Sequence, residues 1–191
     1  MMKKLFLLLM MMLVCAGSTF AQSIPRWFTL PVSVYLPSNT YSTSVKNAFS
    51  TWQSSSGRLV YFVFKTNPKL ETLSNIDVMF MPTYNGGVPY KIQARYNSNY
   101  YSLEENGYFR RVGITIYTKN KEGKNLSNSE VYSIALRAVG EAIGVKQIAP
   151  SKKGKSVMAS DYKYDAKGLT SDDIYALKKV YWPNYKLKGL D

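Results

Sequence analysis

The sequence lacks two residue types that commonly carry chemistry in proteins. It contains no histidine, and it has one cysteine, Cys15. Without histidine the chain has no imidazole that could bind a metal ion or transfer protons near neutral pH. Cys15 lies in a segment that we expect to be removed during export, so the mature chain should have neither a disulfide bond nor a thiolate nucleophile. Its stability is therefore expected to come from packing.

The first 21 residues are organised like a signal peptide. Lys3 and Lys4 precede an apolar run over residues 5–14, and small residues lead to a cleavage site after Ala21. The apolar run is shorter than the roughly 20 residues that span a bilayer. We therefore expect a secreted or periplasmic protein with no transmembrane segment after processing, and a mature chain of residues 22–191.

The mature chain would be strongly basic. Processing removes two of the 25 basic residues and none of the 12 acidic ones, so the formal net charge falls from +13 to +11. Such a charge favours contact with anionic envelope polymers or acidic proteins through salt-sensitive attraction. The alternative is an ordinary solvated surface with a basic bias, because no run of five consecutive Lys or Arg concentrates the charge. Nothing in the sequence predicts a specific nucleic-acid partner.

Residues 22–191 have the length and composition of a single packed domain, since 46% of the whole chain is hydrophobic and 16 residues are tyrosine. Four segments have strand character: 27–36, 59–64, 76–81 and 112–118. Pro31 favours an edge strand for the first, whereas the apolar runs of the second and third are typical of strands buried on both faces. Between them and the fourth, residues 82–111 are rich in Tyr, Asn and Gly, which predicts a long irregular loop with room for one short hairpin.

Two segments have a clear helical period. The first begins at one of the residues 42–44 and ends at Gly57, and its apolar face consists of Val45, Ala48, Phe49 and Trp52. In the second, Ser127 and Glu130 form a capping box before an apolar stripe that ends at Gly144.

A third helix is predicted near the C-terminus. Thr170 and Asp173 have the spacing of a further cap, and an apolar stripe follows them. Pro183 is expected to stop this helix, because proline cannot donate the next backbone hydrogen bond. The strands and the three main helices together predict the α+β class.

Several strings resemble, in order and over essentially the whole mature chain, the matrixin branch of the metzincin zinc metallopeptidases. VKNAFSTWQSSSGRLVYFVF and SNIDVMF resemble that family's first helix and the strands after it. EVYSIALRAVGEAIGV resembles its active-site helix, SVM its Met-turn and LTSDDIYALKKVYW its closing helix. The resemblance implies a matrixin catalytic-domain-like fold with a mixed, twisted sheet.

Active members carry His-Glu-x-x-His-x-x-Gly-x-x-His on the active-site helix, which brings imidazoles to one Zn²⁺ and places a glutamate beside the metal-bound water. The resemblance places two matching residues here, Gly144 at the glycine and Met158 in the Met-turn. The other positions differ from the pattern: Arg137 and Glu141 at the first two ligands, Ala138 at the general base, and Gln147, or Ile148 after a longer turn, at the third ligand.

These substitutions remove the chemistry that the family requires. A guanidinium remains protonated and has no lone pair for a metal, and Ala138 has no proton acceptor. Arg137 and Glu141 are four residues apart, so we expect an ion pair in the space that a metal would occupy. The alternative is the charged face of an ordinary surface helix, formed by Glu130, Ser133, Arg137 and Glu141.

The sequence therefore favours a catalytically inactive matrixin-like protein, a pseudoprotease without a cofactor, that binds an extended peptide or protein by strand addition. One alternative is an active metalloendopeptidase in which Asp161 or Asp165 assists Glu141 in holding a metal. Another is a cationic protein associated with the cell envelope. Candidate partner-binding residues are the aromatic and basic side chains of the predicted loop and its end: Tyr90, Lys91, Arg95, Tyr100, Tyr101, Arg110 and Arg111.

Overall fold

The structure is a computed structural model. The predicted signal peptide and its cleavage site after Ala21 lie outside the residues that it describes. None of the described helices is long and apolar enough to cross a membrane. The described residues are 26–67, 74–82, 87–96, 108–150 and 156–186.

The described residues form an α+β fold with five strands and three helices. The strands form one mixed sheet in the order β2-β1-β3-β5-β4, in which β4 and β5 are antiparallel and the other neighbours are parallel. In chain order the elements are β1 (Val32–Tyr35), α1 (Ser42–Ser55), β2 (Phe62–Lys65), β3 (Ile76–Met81), β4 (Tyr90–Tyr96), β5 (Phe109–Tyr117), α2 (Asn128–Ala142) and α3 (Ser171–Lys186).

The prediction of which strands lie at the edge was wrong. β1 lies between β2 and β3, and Pro31 is tolerated because it precedes the first paired residue, Val32. β2, expected to be buried on both faces, is an edge strand whose Val63 side chain is 41% exposed. β3 is also buried on one face only, because Ile76 is buried and Met79 is exposed. Local composition does not encode strand order, which depends on the connections between strands.

Residues 82–111 are more regular than predicted. They contain β4 and the start of β5, which pair over seven register positions with a bulge after Arg95. The missed signal is the alternation of Tyr90, Ile92 and Ala94 with Lys91 and Gln93, since period-two alternation is typical of a half-buried strand. The prediction of an irregular loop was therefore wrong for β4, whereas the hairpin that it allowed is present as the antiparallel pair of β4 and β5.

The core lies between one face of the sheet, here called the helix face, and the helices α1 and α2. Trp52 of α1 also donates its indole N–H to the carbonyl of Leu136 in α2 at 2.8 Å. Burying each large apolar side chain stabilises the fold by roughly 1.5–3 kcal/mol. The largest fully buried side chains include Phe49, Trp52, Ile76, Ile114, Ile116 and Leu136.

The predicted capping box of α2 is confirmed. Ser127 accepts a hydrogen bond from the Glu130 amide, and the Glu130 carboxylate accepts one from the Ser127 amide at 2.7 Å. At the other end, the carbonyls of Ala142 and Ile143 are satisfied by aromatic donors, the Trp27 indole at 3.0 Å and the Tyr181 hydroxyl at 2.8 Å. Both ends of α2 are therefore fixed by side chains.

The predicted start of α3 is confirmed, and its predicted end is wrong. The amide of Thr170 donates to the Asp173 carboxylate at 2.8 Å, as the cap requires. The helix runs through Pro183 to Lys186. A proline removes one intrahelical hydrogen bond, and close to a helix end this loss is not sufficient to stop the helix.

Candidate functional site

The face of α2 that carries Arg137, which the resemblance matches to a zinc ligand, is covered by another part of the chain. Ser133 and Arg137 are only 2% and 6% exposed, because the segment after residue 156 packs over them. A face of this kind is not the solvated side of a surface helix. The interpretation of these residues as an ordinary amphipathic stripe is therefore wrong for its central positions, while Glu130 at the start of α2 is exposed.

Arg137 connects α2 to the turn formed by residues 156–160, here called the Met158 turn. Its Nη1 donates to the carbonyl of Val157 at 2.9 Å and also to that of Ala159. Its Nε donates to Glu141 Oε1 at 3.0 Å, so the predicted ion pair is confirmed. The pair is buried at the arginine end, whereas the Glu141 side chain is 30% exposed.

A third group, the phenol of Tyr90 on β4, completes this cluster. The Tyr90 hydroxyl donates to the same Glu141 oxygen at 2.6 Å. Burial and the neighbouring carboxylate raise the pKa of Tyr90 far above its usual value, so the phenol remains protonated. Burial opposes the charge on Arg137, but the contacts with Tyr90 and Glu141 outweigh it and raise the pKa of Arg137. The cluster holds a fixed cation and a phenol, and neither can act as a base.

Two further tyrosines, Tyr162 and Tyr164, lie beside the cluster of Arg137, Glu141 and Tyr90. Tyr164 contacts the ring of Tyr90 edge-on at a centroid distance of 6.2 Å, and it contacts Tyr162 at 4.9 Å. The Tyr162 hydroxyl bonds to the side chain and the carbonyl of Ser133. Burial raises the pKa of Tyr162 as well. The segment after the Met158 turn is thereby fixed onto α2 by neutral hydroxyl groups.

The Met158 turn is itself rigidly held. Met158 is fully buried beneath α2, where a Cβ placed on Gly140 would lie 2.5 Å from its sulfur. Asp173, also fully buried, accepts hydrogen bonds from the hydroxyl of Ser156 at 2.6 Å and from the amide of Met158 at 3.0 Å. Because the same carboxylate caps α3 through Thr170, it ties that helix to the turn.

The remaining positions that the resemblance matches to the zinc site do not indicate a metal site. Ala138 is fully buried in the core, and Gln147 is exposed. Next to it, Ile148 pairs through its backbone with the Met158 turn, since its amide donates to the carbonyl of Met158 at 2.9 Å. Gly144 has a φ of +91°, a conformation that favours glycine at the end of a helix.

A zinc ion does not fit the residues present. Zinc sites require three or four donors with lone pairs at about 2.0–2.3 Å, and the first position here is a cation that donates hydrogen bonds. The side chains of Asp161 and Asp165 are exposed. Within the part of the chain that the structure describes, no three Cys, Asp, Glu or His side chains are grouped as metal ligands would be.

The predicted partner-binding residues do not form one surface. Tyr90 lies on the helix face of the sheet, whereas Lys91, Arg95 and Arg111 belong to the opposite face, here called the outer face. Arg111 pairs with Asp77 at 2.8 Å. Arg110 is exposed and is the extra residue of the bulge, which lies in β5 opposite Arg95 and Tyr96. Two other predicted residues, Tyr100 and Tyr101, lie outside the described residues.

β4 has one edge that no described strand pairs with. The amide of Tyr117 donates to the carbonyl of Pro89 at 3.1 Å, so these two residues are a hydrogen-bonded pair of the antiparallel ladder. Hydrogen-bonded and non-hydrogen-bonded pairs alternate from there along β4. Lys91 and Gln93 then direct their backbone groups towards β5, and Ile92 and Ala94 direct theirs outwards. The outer edge of β4 therefore presents alternating N–H and C=O groups, as a strand that accepts an additional strand does.

No family model matches this chain, and no curated protein is significantly similar to it. Function is therefore inferred from the residues of this chain.

Proposed function

We propose that the mature chain is a secreted, non-catalytic protein with a matrixin-like peptidase scaffold, and that it binds an extended peptide or protein segment along the outer edge of β4. The α+β architecture and the edge of β4 that no described strand pairs with are compatible with this function. Main-chain hydrogen bonds would provide the affinity of such a contact, and the flanking side chains would provide its specificity.

The observation that carries the non-catalytic part of the proposal is the position of Arg137. Its guanidinium is a buried cation that donates to Glu141 and to two backbone carbonyls, and the resemblance matches this position to the first zinc ligand. A Zn²⁺ ion next to it would be repelled by about 4 kcal/mol at 4 Å in an effective dielectric of 20 for each unit of charge. Glu141 is already engaged by two donors.

The binding part of the proposal depends on the outward backbone groups of Ile92 and Ala94. A proline at position 94 removes an outward N–H and no ladder bond, so the sheet should remain intact. Fluorescence anisotropy of labelled casein, an unstructured protein, measures binding to the mature chain. We expect saturable binding of intact casein, weakened at least about tenfold by Ala94→Pro.

The matched control is Ala94→Ser, which keeps the backbone N–H. Its affinity should equal that of the native chain. Equal binding by Ala94→Pro would exclude strand addition at β4. Casein that is cleaved, with cleavage stopped by a chelator and by Glu141→Ala, would instead establish an active enzyme.

A second candidate function is a cationic contact with anionic envelope polymers. The side chains of Lys91 and Arg95 on β4 and of Arg110 on β5 are all exposed, and this observation favours it. Binding of this kind decreases steeply with salt, because exposed charges are screened within about 8 Å at physiological ionic strength. Strand addition at β4 should depend on salt only weakly. Repeating the casein titration over a salt series therefore separates the two functions.

A further inference from the structure

A cavity of about 370 Å³ lies on the side of the sheet away from α1 and α2. It extends from the chain after β1, over β3, to β5 and β4. This volume falls at the lower end of the roughly 300–1,000 Å³ typical of small-molecule sites. None of the described residues that line it belongs to the Arg137 cluster or to the positions that the resemblance matches to the zinc site. Its lining includes Tyr35, Asp77, Met79, Gln93, Gly113 and Thr115.

The cavity exists because Gly113 interrupts a row of side chains across four strands. Tyr35, Asp77, Gly113 and Gln93 occupy matching register positions on β1, β3, β5 and β4. A Cβ placed on Gly113 would lie 3.8 Å from Asp77 Oδ2 and 3.9 Å from the Cβ of Gln93, which is ordinary contact. Glycine inside a strand costs about 0.5–1 kcal/mol relative to alanine, and such a position often marks the close approach of a ligand.

The connections between the strands also leave space for the cavity, at the carboxyl ends of β1 and β3. β1 and β3 are parallel neighbours, but the chain leaves β1 towards α1 and β2 and leaves β3 towards β4 at the opposite edge of the sheet. Adjacent parallel strands whose connections diverge leave a crevice at their carboxyl ends, where open sheets commonly bind ligands. Residues 37–39 and Phe80 line the cavity at this end.

The lining is part polar and part apolar. Among the described residues that form it, Asp77 alone is charged. Its Oδ1 accepts a hydrogen bond from Arg111 at 2.8 Å, and its Oδ2 lies 3.8 Å from a Cβ placed on Gly113, which also lines the cavity. An anionic ligand would meet this carboxylate, and a cationic ligand would compete with Arg111. Gln93 and Thr115 add groups that both donate and accept hydrogen bonds, and Met79 adds an apolar surface.

We propose that this cavity binds a small, neutral, polyhydroxylated molecule, of the size of one sugar ring. Hydroxyl groups of the ligand would donate to Asp77 Oδ2 and exchange hydrogen bonds with Gln93 and Thr115. The C–H face of a ring would pack on Met79. This site is independent of strand addition at β4, so either can fail without the other.

Backbone amide NMR spectra of the mature chain, titrated with D-glucose, D-galactose and N-acetyl-D-glucosamine, test the proposal. We expect at least one sugar to shift the amide signals of Gly113 and its neighbours at millimolar concentration. Gly113→Val fills the hollow with a residue that suits a strand, and Gln93→Ala removes a polar group from an exposed position. Both should weaken binding, Gly113→Val by at least about tenfold.

The control is Gly168→Ala, because a Cβ there has no atom within 4 Å and the position is not part of the cavity lining. Its affinity should be unchanged. Circular dichroism verifies that each variant folds, and Gln93→Ala provides the test if Gly113→Val does not fold. Two results would overturn the proposal: none of the three sugars shifts these signals, or the shifts persist unchanged in the folded cavity variants.

Discussion

The Tyr90 hydroxyl and Arg137 Nε donate to the same oxygen of Glu141, at 2.6 and 3.0 Å. This oxygen therefore connects the edge strand β4 to the buried face of α2. Arg137 extends the connection to the Met158 turn through Val157.

Replacing Arg137 by methionine should be strongly destabilising. The change keeps much of the volume but leaves the Glu141 carboxylate and the carbonyls of Val157 and Ala159 without their donor. Removing one partner of a buried pair costs about 3–5 kcal/mol of unfolding free energy. Glu141→Ala should cost less, about 1–3 kcal/mol, because the guanidinium keeps its carbonyl partners. Urea denaturation measures both changes.

The exposed pair of Lys121 and Glu122 provides the control for this series. Its ions are 3.7 Å apart and its side chains are 79% and 50% exposed, so Glu122→Ala should change stability by no more than about 0.5 kcal/mol. A loss below about 1 kcal/mol for Arg137→Met would show that the buried network contributes little.

The stability of the protein should decrease steeply at alkaline pH. Burial raises the pKa of both Tyr90 and Tyr181 above the usual value of about 10. Because the folded chain holds these protons more tightly than the unfolded chain, their contribution is complete below pH of about 10 and is lost above it. Each group adds a decrease of about 1.4 kcal/mol per pH unit in that range.

Tyr181→Phe should flatten this pH dependence, although it also removes the hydrogen bond to the Ile143 carbonyl and lowers stability at neutral pH. Urea denaturation at a series of pH values separates the two effects, since only the slope reports the proton. An identical slope for Tyr181→Phe and the native chain would contradict the raised pKa.

Asp173→Ala should destabilise the protein far more than the neighbouring change Asp172→Ala. Asp173 is fully buried and accepts hydrogen bonds from Ser156, Thr170 and the amide of Met158, whereas Asp172 is exposed. Each buried donor left without a partner costs about 1–3 kcal/mol, so we expect a loss of at least about 3 kcal/mol. Thermal denaturation compares the two variants, and similar melting temperatures would refute the structural role of Asp173.

Gly140→Ala should destabilise the protein although alanine is the better helix former by about 1 kcal/mol. Its Cβ would lie 2.5 Å from the Met158 sulfur and 2.7 Å from Cζ2 of Trp52. Overpacking of this kind typically costs about 1–3 kcal/mol. Combining it with Met158→Ala, which vacates the space, should cost less than the sum of the two single changes. Strict additivity in urea denaturation would disprove the contact.

The sequence predicts those features that depend on neighbouring residues. The capping box of Ser127 and Glu130 and the pair of Arg137 and Glu141 span three and four residues, so helical geometry alone brings each pair together. β4 could also have been predicted, because its alternation of apolar and polar residues is a local pattern. The glycines and asparagines around it favour a loop and obscure this alternation.

The rest of the site depends on contacts between distant parts of the chain. Tyr90 reaches Glu141 across 51 positions, and Arg137 reaches the carbonyl of Val157 across 20. Such contacts follow from the order of strands and from the path of the chain after α2, which local periods do not encode. For the same reason the row of side chains around Gly113 becomes visible only in the folded sheet.

The zinc content of the purified mature chain tests the central claim most directly. After equilibration with buffered zinc and removal of free metal, elemental analysis gives the molar ratio of zinc to protein. Because a guanidinium occupies the position that the resemblance matches to the first zinc ligand, we expect a ratio far below one, unchanged in Glu141→Ala. A ratio of one zinc per chain that is lost in Glu141→Ala would contradict the account.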